Sequence, residues 1–167
     1  MKFLIDGMLG KLAKWLRLLG YDVEYLNNAS DKQLVEAARK GNKILLTSDI
    51  QLYRLATARG IDTYLVEGKT EAEKLARVSK RFEIKLDVNP RTSRCTTCNS
   101  PLNPVSKQEI KGQVPERTLK AYAEFWRCSN PKCGKIYWSG RQWQNIIETL
   151  EEARKLHFIA QPSPGNK

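Results

Sequence analysis

Four cysteines fall into two closely spaced pairs. Cys95 and Cys98 form a C-x2-C motif, Cys128 and Cys133 form a C-x4-C motif, and 29 residues separate the two motifs. Two such pairs supply the four thiolates of a tetrahedral zinc site, and four protein ligands leave no open position for catalysis. Two disulfides or four free thiols are the alternatives. The spacing predicts a structural zinc ion in a small zinc ribbon, with strands around 125–127 and 135–138.

Three aspartates form a second candidate site. Asp6, Asp31 and Asp49 each lie at or shortly after the end of an apolar segment. If those segments are parallel strands, the three carboxylates meet at one edge of the sheet, where they would repel one another unless a divalent cation lay among them. Oxygen ligands without histidine favour Mg²⁺ or Mn²⁺, which can activate water to attack a phosphodiester. The alternative is structural, because each aspartate could also cap a helix or end a strand in a turn.

The elements that would position these aspartates alternate between strand and helix. Apolar segments at 2–5, 23–26, 43–46 and 63–66 have the length of strands. Helical spacing of apolar residues predicts helices over 9–20, 31–41, 50–60 and 70–80, with Ser30 or Asp31 capping the second. Four strand–helix repeats predict an α/β fold with a mainly parallel sheet flanked by helices.

Beyond the repeats the chain changes character. Hydrophobic periodicity stops near Asp87, so residues 1–86 form the predicted first domain and residues 89–141 the zinc ribbon. Residues 142–160 are amphipathic, which predicts a C-terminal helix that docks on one of these domains. Residues 161–167 are rich in proline, glycine and polar side chains, and we expect them to form a flexible tail.

Positive charge dominates the 167-residue chain, whose formal net charge is +11. Residues 1–86 carry 16 basic and 11 acidic side chains, whereas residues 89–141 carry 10 and 3. This excess favours an anionic partner such as nucleic acid. No apolar run is long enough to cross a membrane and no signal peptide is recognisable, so we expect no membrane partner and a cytoplasmic protein, a compartment in which clustered cysteines hold metal more often than disulfides.

Basic side chains accompany both candidate sites. One face of the first predicted helix carries Lys11, Lys14 and Arg17, close to Asp6. In the ribbon, Lys120, Arg127, Lys132, Lys135 and Arg141 are interleaved with the aromatic residues Tyr122, Phe125, Trp126, Tyr137, Trp138 and Trp143. Cations beside aromatic rings are what single-stranded RNA binding requires. A solvated helix face and a small aromatic core are the structural alternatives.

Five segments of the chain form a recognisable set, namely FLID at 3–6, LGKLAKWLRLLG at 9–20, NASD at 28–31, ILLTSD at 44–49, and YWSG at 137–140 followed by Trp143. Together they resemble the Mut7-C family of PIN-like ribonuclease domains. It implies a PIN-like fold and metal-dependent RNA cleavage, with Asp6, Asp31 and Asp49 at the acidic positions. The chain departs from PIN-like relatives in one respect, since Ile50-Gln51-Leu52 follows Asp49 where a further acid is common.

Two functions fit these features. The first is a metal-dependent endoribonuclease that cleaves single-stranded or structured RNA, with ribosomal RNA a candidate by analogy, and that uses its zinc ribbon to position RNA. The second is a non-catalytic protein that binds RNA or ribosomal particles through a degenerate PIN-like site, which the missing acid after Asp49 favours. A toxin-like nuclease is a weaker third interpretation, because such proteins usually lack a zinc module.

Overall fold

A computed structural model describes residues 1–159 of the chain. The strands are β1 (Lys2–Asp6), β2 (Asp22–Leu26), β3 (Ile44–Thr47), β4 (Thr63–Leu65), β5 (Leu102–Val105), β6 (Phe125–Cys128) and β7 (Ile136–Tyr137). The helices are α1 (Gly10–Leu18), α2 (Asp31–Gly41), α3 (Ile50–Ala58), α4 (Glu71–Phe82), α5 (Glu116–Ala121) and α6 (Arg141–Ile159). The predicted tail, 161–167, lies outside the described residues.

The first four strands form one parallel sheet in the order β2-β1-β3-β4. This confirms the predicted α/β class, and each strand lies within two residues of its predicted bounds. The chain runs from β1 outward to β2 and then returns past β1 to β3. The strand order therefore reverses between β1 and β3, and crevices outside the carboxyl ends of strands at such switch points commonly bind ligands.

Helices cover both faces of the parallel sheet, because its strands carry apolar residues on both sides. Phe3 and Ile5 of β1 pack in a cluster with α1, α4 and α6, whereas Leu4 between them packs with α2 and α3. All three side chains are fully buried. Burial on both faces fixes the register of β1, because a slip by one residue would exchange the two sets.

Residues 89–141, called the cysteine module below, contain a second, antiparallel sheet in the order β5-β6-β7. The predicted strands around 125–127 and 135–138 correspond to β6 and β7. Its buried cluster is small and consists of Cys95, Leu102, Trp126 and Cys128. So few apolar side chains supply little folding free energy, and modules with so small a cluster commonly depend on an additional staple such as a metal or a disulfide.

Helix α6 docks on the first domain. Leu150 and Ala153 are fully buried in the cluster that α1 and α4 share, and α4 is the principal neighbour of α6. Next to Ala153 in α6, Arg154 donates to the Leu86 carbonyl at 2.7 Å and pairs with Asp87 at 2.8 Å. Residues that follow the cysteine module thus complete the core that precedes it. None of the helices in residues 1–159 combines the length and apolar character that a membrane crossing requires.

Candidate active site and metal centre

Asp6 is the buried acid at the carboxyl end of β1. Its side chain is 5% exposed. One carboxylate oxygen accepts a hydrogen bond from the Met8 N–H at 3.0 Å, and the other accepts one from the Thr47 hydroxyl. Both bonds hold the carboxylate in a single orientation at the switch point of the sheet.

Thr47 links Asp6 to the second aspartate. Its hydroxyl donates to Asp6 and accepts from the Asp49 N–H at 3.0 Å. The Asp49 carboxylate caps α3, because its Oδ1 accepts from the Gln51 and Leu52 N–H groups at 2.8 and 3.3 Å. The structural role foreseen for Asp49 is therefore present, and it fixes the side chain at the same edge as Asp6.

Asp31 occupies the first turn of α2. Ser30 rather than Asp31 is the N-cap, since its hydroxyl accepts from the Gln33 N–H at 3.2 Å while the Gln33 side chain accepts from the Ser30 N–H at 2.8 Å. This capping box leaves the Asp31 carboxylate without a capping role. Asp31 thus lies at the start of the helix that follows β2, at the carboxyl edge of the sheet.

The three aspartates interact electrostatically. Burial raises the pKa of Asp6 above its usual value, and the negative charges of Asp49 and Asp31 raise it further, although hydrogen bonds from Thr47 and Met8 oppose the shift. A buried carboxylate that two others repel is stabilised in its ionised form by a cation. The carboxylate oxygens fit Mg²⁺ or Mn²⁺ in chemistry. Among the described residues, the four cysteines are the one group of three or more side chains close enough together to hold a metal ion, so the three carboxylates are less tightly gathered than the cysteines.

Two further polar residues lie at this edge of the sheet and were not predicted from the sequence. Thr47 carries the bridge between Asp6 and Asp49, and Glu67 follows β4 shortly after its carboxyl end. The strand-end rule that selected the aspartates also applies to Glu67, so the signal was present. The importance of Thr47 depends on a side-chain contact across 41 residues, which no local pattern reports.

The four cysteines converge on one centre. Their sulfur atoms all lie within 4.8 Å of one another, with 3.7 Å between Cys95 and Cys133 and 3.3 Å between Cys98 and Cys128. None of the four forms a disulfide. A zinc–thiolate tetrahedron has Zn–S bonds of about 2.3 Å and hence edges of about 3.8 Å, so the four side chains are placed to bind a zinc ion.

Tyr137 of β7 anchors the C-x2-C turn. Its hydroxyl lies 3.1 Å from the Cys95 sulfur and accepts from the Thr96 N–H at 3.0 Å. Such outer contacts orient metal ligands and tune them. The cysteine centre is therefore supported by a second layer of contacts from the antiparallel sheet.

Comparison with known proteins agrees with this architecture. The Mut7-C RNAse domain family matches residues 1–150. The chain belongs to that family. The human protein "Exonuclease mut-7 homolog" is 35% identical over 97 residues, which are 56% of this chain and 11% of the human protein, so the chain spans only about a tenth of that relative. No solved structure matches. The resemblance drawn from the sequence is thus confirmed, and a nuclease-type function is supported.

Arg17 of this Mut7-C domain does not lie on an exposed cationic face, and that prediction is wrong. Its side chain is 7% exposed, its Nε and Nη2 donate to the Val23 carbonyl at 3.0 and 2.9 Å, and its Nη1 donates to the Thr96 carbonyl at 3.0 Å. Burial lowers the pKa of Arg17, while the nearby Cys95 and Cys98 raise it. Its guanidinium joins β2 to the turn that carries two cysteine ligands.

Asn99 reinforces the same contact. Its side-chain amide donates to Asp22 at 2.7 Å, and its side-chain carbonyl accepts from the Val23 N–H at 3.0 Å. Asp22 begins β2, whereas Asp6 ends β1. The cysteine centre of the Mut7-C domain therefore packs at the amino edge of the parallel sheet, opposite the aspartates.

Replacement of Arg17 by methionine is expected to destabilise the domain by about 2–5 kcal/mol, because buried carbonyls would lose their donors. Denaturant unfolding at an unchanged m-value measures the loss. Lys14→Met, on the exposed face of the same helix, is the matched control and should shift stability by less than about 0.5 kcal/mol. Equal losses of stability in the two variants would show that the buried hydrogen bonds of Arg17 contribute no more than an exposed lysine does.

The other predicted RNA-binding residues differ in their surroundings. Lys120 pairs with Glu116 at 3.5 Å, and Arg127 donates to the Glu109 carbonyl and to Gln113, both at 3.3 Å. The remaining five are exposed and form no ion pair among residues 1–159, namely Lys11, Lys14, Lys132, Lys135 and Arg141. These five are the members of the predicted set whose charge faces solvent without an acidic partner.

Proposed function

We propose that this Mut7-C domain is a metal-dependent endoribonuclease whose acidic site lies at the carboxyl edge of the parallel sheet. The observation that carries the proposal is the Asp6–Thr47–Asp49 arrangement at the switch point, where the Thr47 hydroxyl fixes both acids. Asp6 and Asp49, with Asp31, would hold Mg²⁺ or Mn²⁺. Such an ion lowers the pKa of bound water and neutralises charge on a phosphodiester.

The protein groups then have separate tasks. Thr47 and the Met8 N–H orient the Asp6 carboxylate, and the helix N-cap contacts orient Asp49. Lys11 and Lys14 lie within the first turns of α1, close in sequence to Asp6, and receive RNA phosphates as they approach. The cysteine module contributes a structural zinc site, since four protein ligands leave no coordination position for substrate.

The family name, Mut7-C RNAse domain, supports RNA as the substrate class. Endonucleolytic cleavage goes beyond the comparison with the human relative, which is named an exonuclease and of which the chain covers only 11%. Structured RNA, including ribosomal RNA, belongs to the same proposal as a candidate substrate.

A circular RNA separates these possibilities. With Mn²⁺, the protein is expected to convert a circular single-stranded RNA into linear products, which an exonuclease cannot do, and to leave it intact without added Mg²⁺ or Mn²⁺. Cleavage of linear RNA only, with mononucleotide release, would contradict the endonuclease assignment. Cleavage that persists without either ion would contradict the metal dependence.

A second candidate function has an observation of its own. The three carboxylates do not form a group that could hold a metal ion as the four cysteines do among the described residues, and Ile50-Gln51-Leu52 follows Asp49. Both features favour a protein that binds RNA or a ribosomal particle without cutting it. Tight, salt-sensitive RNA binding together with no cleavage under any divalent ion would establish this alternative.

A further inference from the structure

An aromatic cavity lies at the end of α1 that is remote from Asp6. It has a volume of about 470 Å³, is partly open to solvent, and is lined by the end of α1, the cysteine module and the start of α6. Its lining includes the rings of Trp126, Tyr137, Trp138 and Trp143. Cavities of about 300–1,000 Å³ hold small ligands, so one nucleotide base fits within it.

Local packing holds the rings in place. The Tyr137 hydroxyl is fixed by Cys95 and Thr96, and Phe125 packs against Trp138 with 6.1 Å between ring centroids. Gly140 permits the approach of Trp138, because a Cβ atom at Gly140 would lie 2.8 Å from the indole Nε1. The cavity therefore has preformed aromatic walls, which reduces the entropy lost when a flat ring binds between them.

Positive charge borders the aromatic walls. Lys135 and Arg141 both line the cavity, are exposed, and form no ion pair among the described residues. The Lys135 ammonium also lies 5.1 Å from the centroid of the Tyr137 ring. A flat apolar group linked to a phosphate complements this combination better than an apolar protein side chain does.

Helix α1 connects the cavity with the acidic site. Its nine residues span about 13 Å, from the neighbourhood of Asp6 to Leu18, which lines the cavity. Lys11, Lys14 and Leu18 follow one another at spacings of three and four residues, so they lie on one face of the helix. The two exposed lysines thus mark a cationic path between the two places.

We propose that the aromatic cavity binds a base of single-stranded RNA whose backbone runs along Lys14 and Lys11 to the acidic site. The inference rests on the proposed function for the identity of the nucleic acid, but it concerns binding alone. The cavity would hold a nucleotide that lies several positions along the RNA from the bond that is cut. It would favour unpaired substrates, because a base within a duplex cannot enter.

The test is a binding measurement without added Mg²⁺ or Mn²⁺, so that its result does not depend on cleavage. Fluorescence anisotropy with a labelled 12-nucleotide single-stranded RNA is expected to show that Trp143→Ala weakens binding at least about fivefold, while Trp143→Phe retains most of the affinity because it keeps a stacking ring. Lys155→Ala, an exposed lysine farther along α6, is the control and should leave the affinity unchanged.

A second variant guards against loss of folding. Lys135→Glu with Arg141→Glu changes only exposed side chains and is expected to weaken binding tenfold or more at low salt. Photocrosslinking with 4-thiouridine RNA should label a peptide that contains Trp138 or Trp143. Unchanged affinity in both variants, or crosslinks confined to other surfaces, would overturn the proposal and leave an apolar protein segment as the occupant. RNA binding at the cavity by a protein that cleaves no RNA would overturn only the nuclease assignment.

Discussion

Replacement of Cys95 by serine is expected to unfold the cysteine module while the parallel sheet remains folded. The four sulfur atoms lie within 4.8 Å of one another, and the module buries a cluster of only four residues. Structural zinc sites contribute apparent binding free energies of about 10–16 kcal/mol, far more than so small a core supplies. The zinc content should fall from about one equivalent per chain to well below it.

Two probes distinguish local from global unfolding. Three of the four tryptophans, Trp126, Trp138 and Trp143, lie in the module or directly after it, so fluorescence reports mainly on the module, whereas far-ultraviolet circular dichroism reports mainly on the helices around the sheet. In the wild type both probes should report one transition, whereas in Cys95→Ser only the circular dichroism signal should retain a cooperative transition. We also expect the sheet transition to move to lower temperature, because the Thr96 carbonyl would no longer accept from Arg17.

Thr97→Ser is the matched control, since Thr97 is an exposed residue of the same C-x2-C turn. It should keep both the zinc and the single transition. Freshly purified, reduced wild-type protein without zinc, or a Cys95→Ser variant with unaltered melting, would be incompatible with a zinc site.

Substitution of Asp6 by asparagine is expected to reduce RNA cleavage at least about 100-fold without destabilising the protein. Asparagine keeps an oxygen for the Met8 N–H but removes the charge on which cation binding depends. Losses of about 100- to 1,000-fold are typical when one preorganised electrostatic group is removed. Single-turnover cleavage of one labelled RNA, at equal protein concentration, measures the effect.

The raised pKa of Asp6 determines the sign of the stability change. The folded state favours the neutral carboxyl group, so its contribution to stability is present below the unfolded pKa and is lost as pH rises through the folded pKa. At pH 7 without Mg²⁺, Asp6→Asn should therefore melt at the same temperature as the wild type or higher. The difference should vanish below the ordinary aspartate pKa, where both side chains are neutral.

Magnesium ions give a readout that is independent of activity. Saturating Mg²⁺ at 100 times its dissociation constant stabilises a protein by about 2.7 kcal/mol, so the wild type should melt higher with Mg²⁺ and Asp6→Asn should not. Mg²⁺ is preferable to Mn²⁺ here because it prefers oxygen ligands and avoids the cysteines.

Two further variants serve as controls. Asp49→Asn retains the α3 cap, because asparagine caps helices as well as aspartate, and should lose cleavage without losing stability. Asp62→Asn changes an exposed acid in the connection that enters β4, at the opposite edge, and should retain full activity. Equal cleavage by all of these proteins would point to a contaminating nuclease.

The parallel sheet and its acidic edge could be predicted from sequence because their signals are local. Each strand is a short apolar run, each helix has apolar residues at helical spacing, and parallel strands bring Asp6 and Asp49 to one edge wherever the helices pack. The cysteine pairs are equally local. Asp49 caps α3 through one carboxylate oxygen, and its second oxygen leaves the functional interpretation compatible with the structural one.

Features that depend on distant partners were not predictable in this way. Arg17 shares its helical spacing with exposed Lys14, but it is buried because its acceptors include Thr96, a residue 79 positions later. Strand β5 contains Asn103 and Pro104, which are poor strand formers, and it forms only at the edge of the antiparallel sheet, where proline is tolerated. Docking of α6 was expected, but its apolar face alone did not identify the domain on which it docks.

The docking of α6 has a consequence for the order of folding during synthesis. Leu150 and Ala153 leave the ribosome after the whole cysteine module, yet they complete the core around α1 and α4. Until they arrive, the nascent first domain exposes the apolar side of α4 that they cover. A domain that is completed by a helix following the module reaches full stability late, which would give the cysteine module time to bind a metal ion before the sheet becomes fully stable.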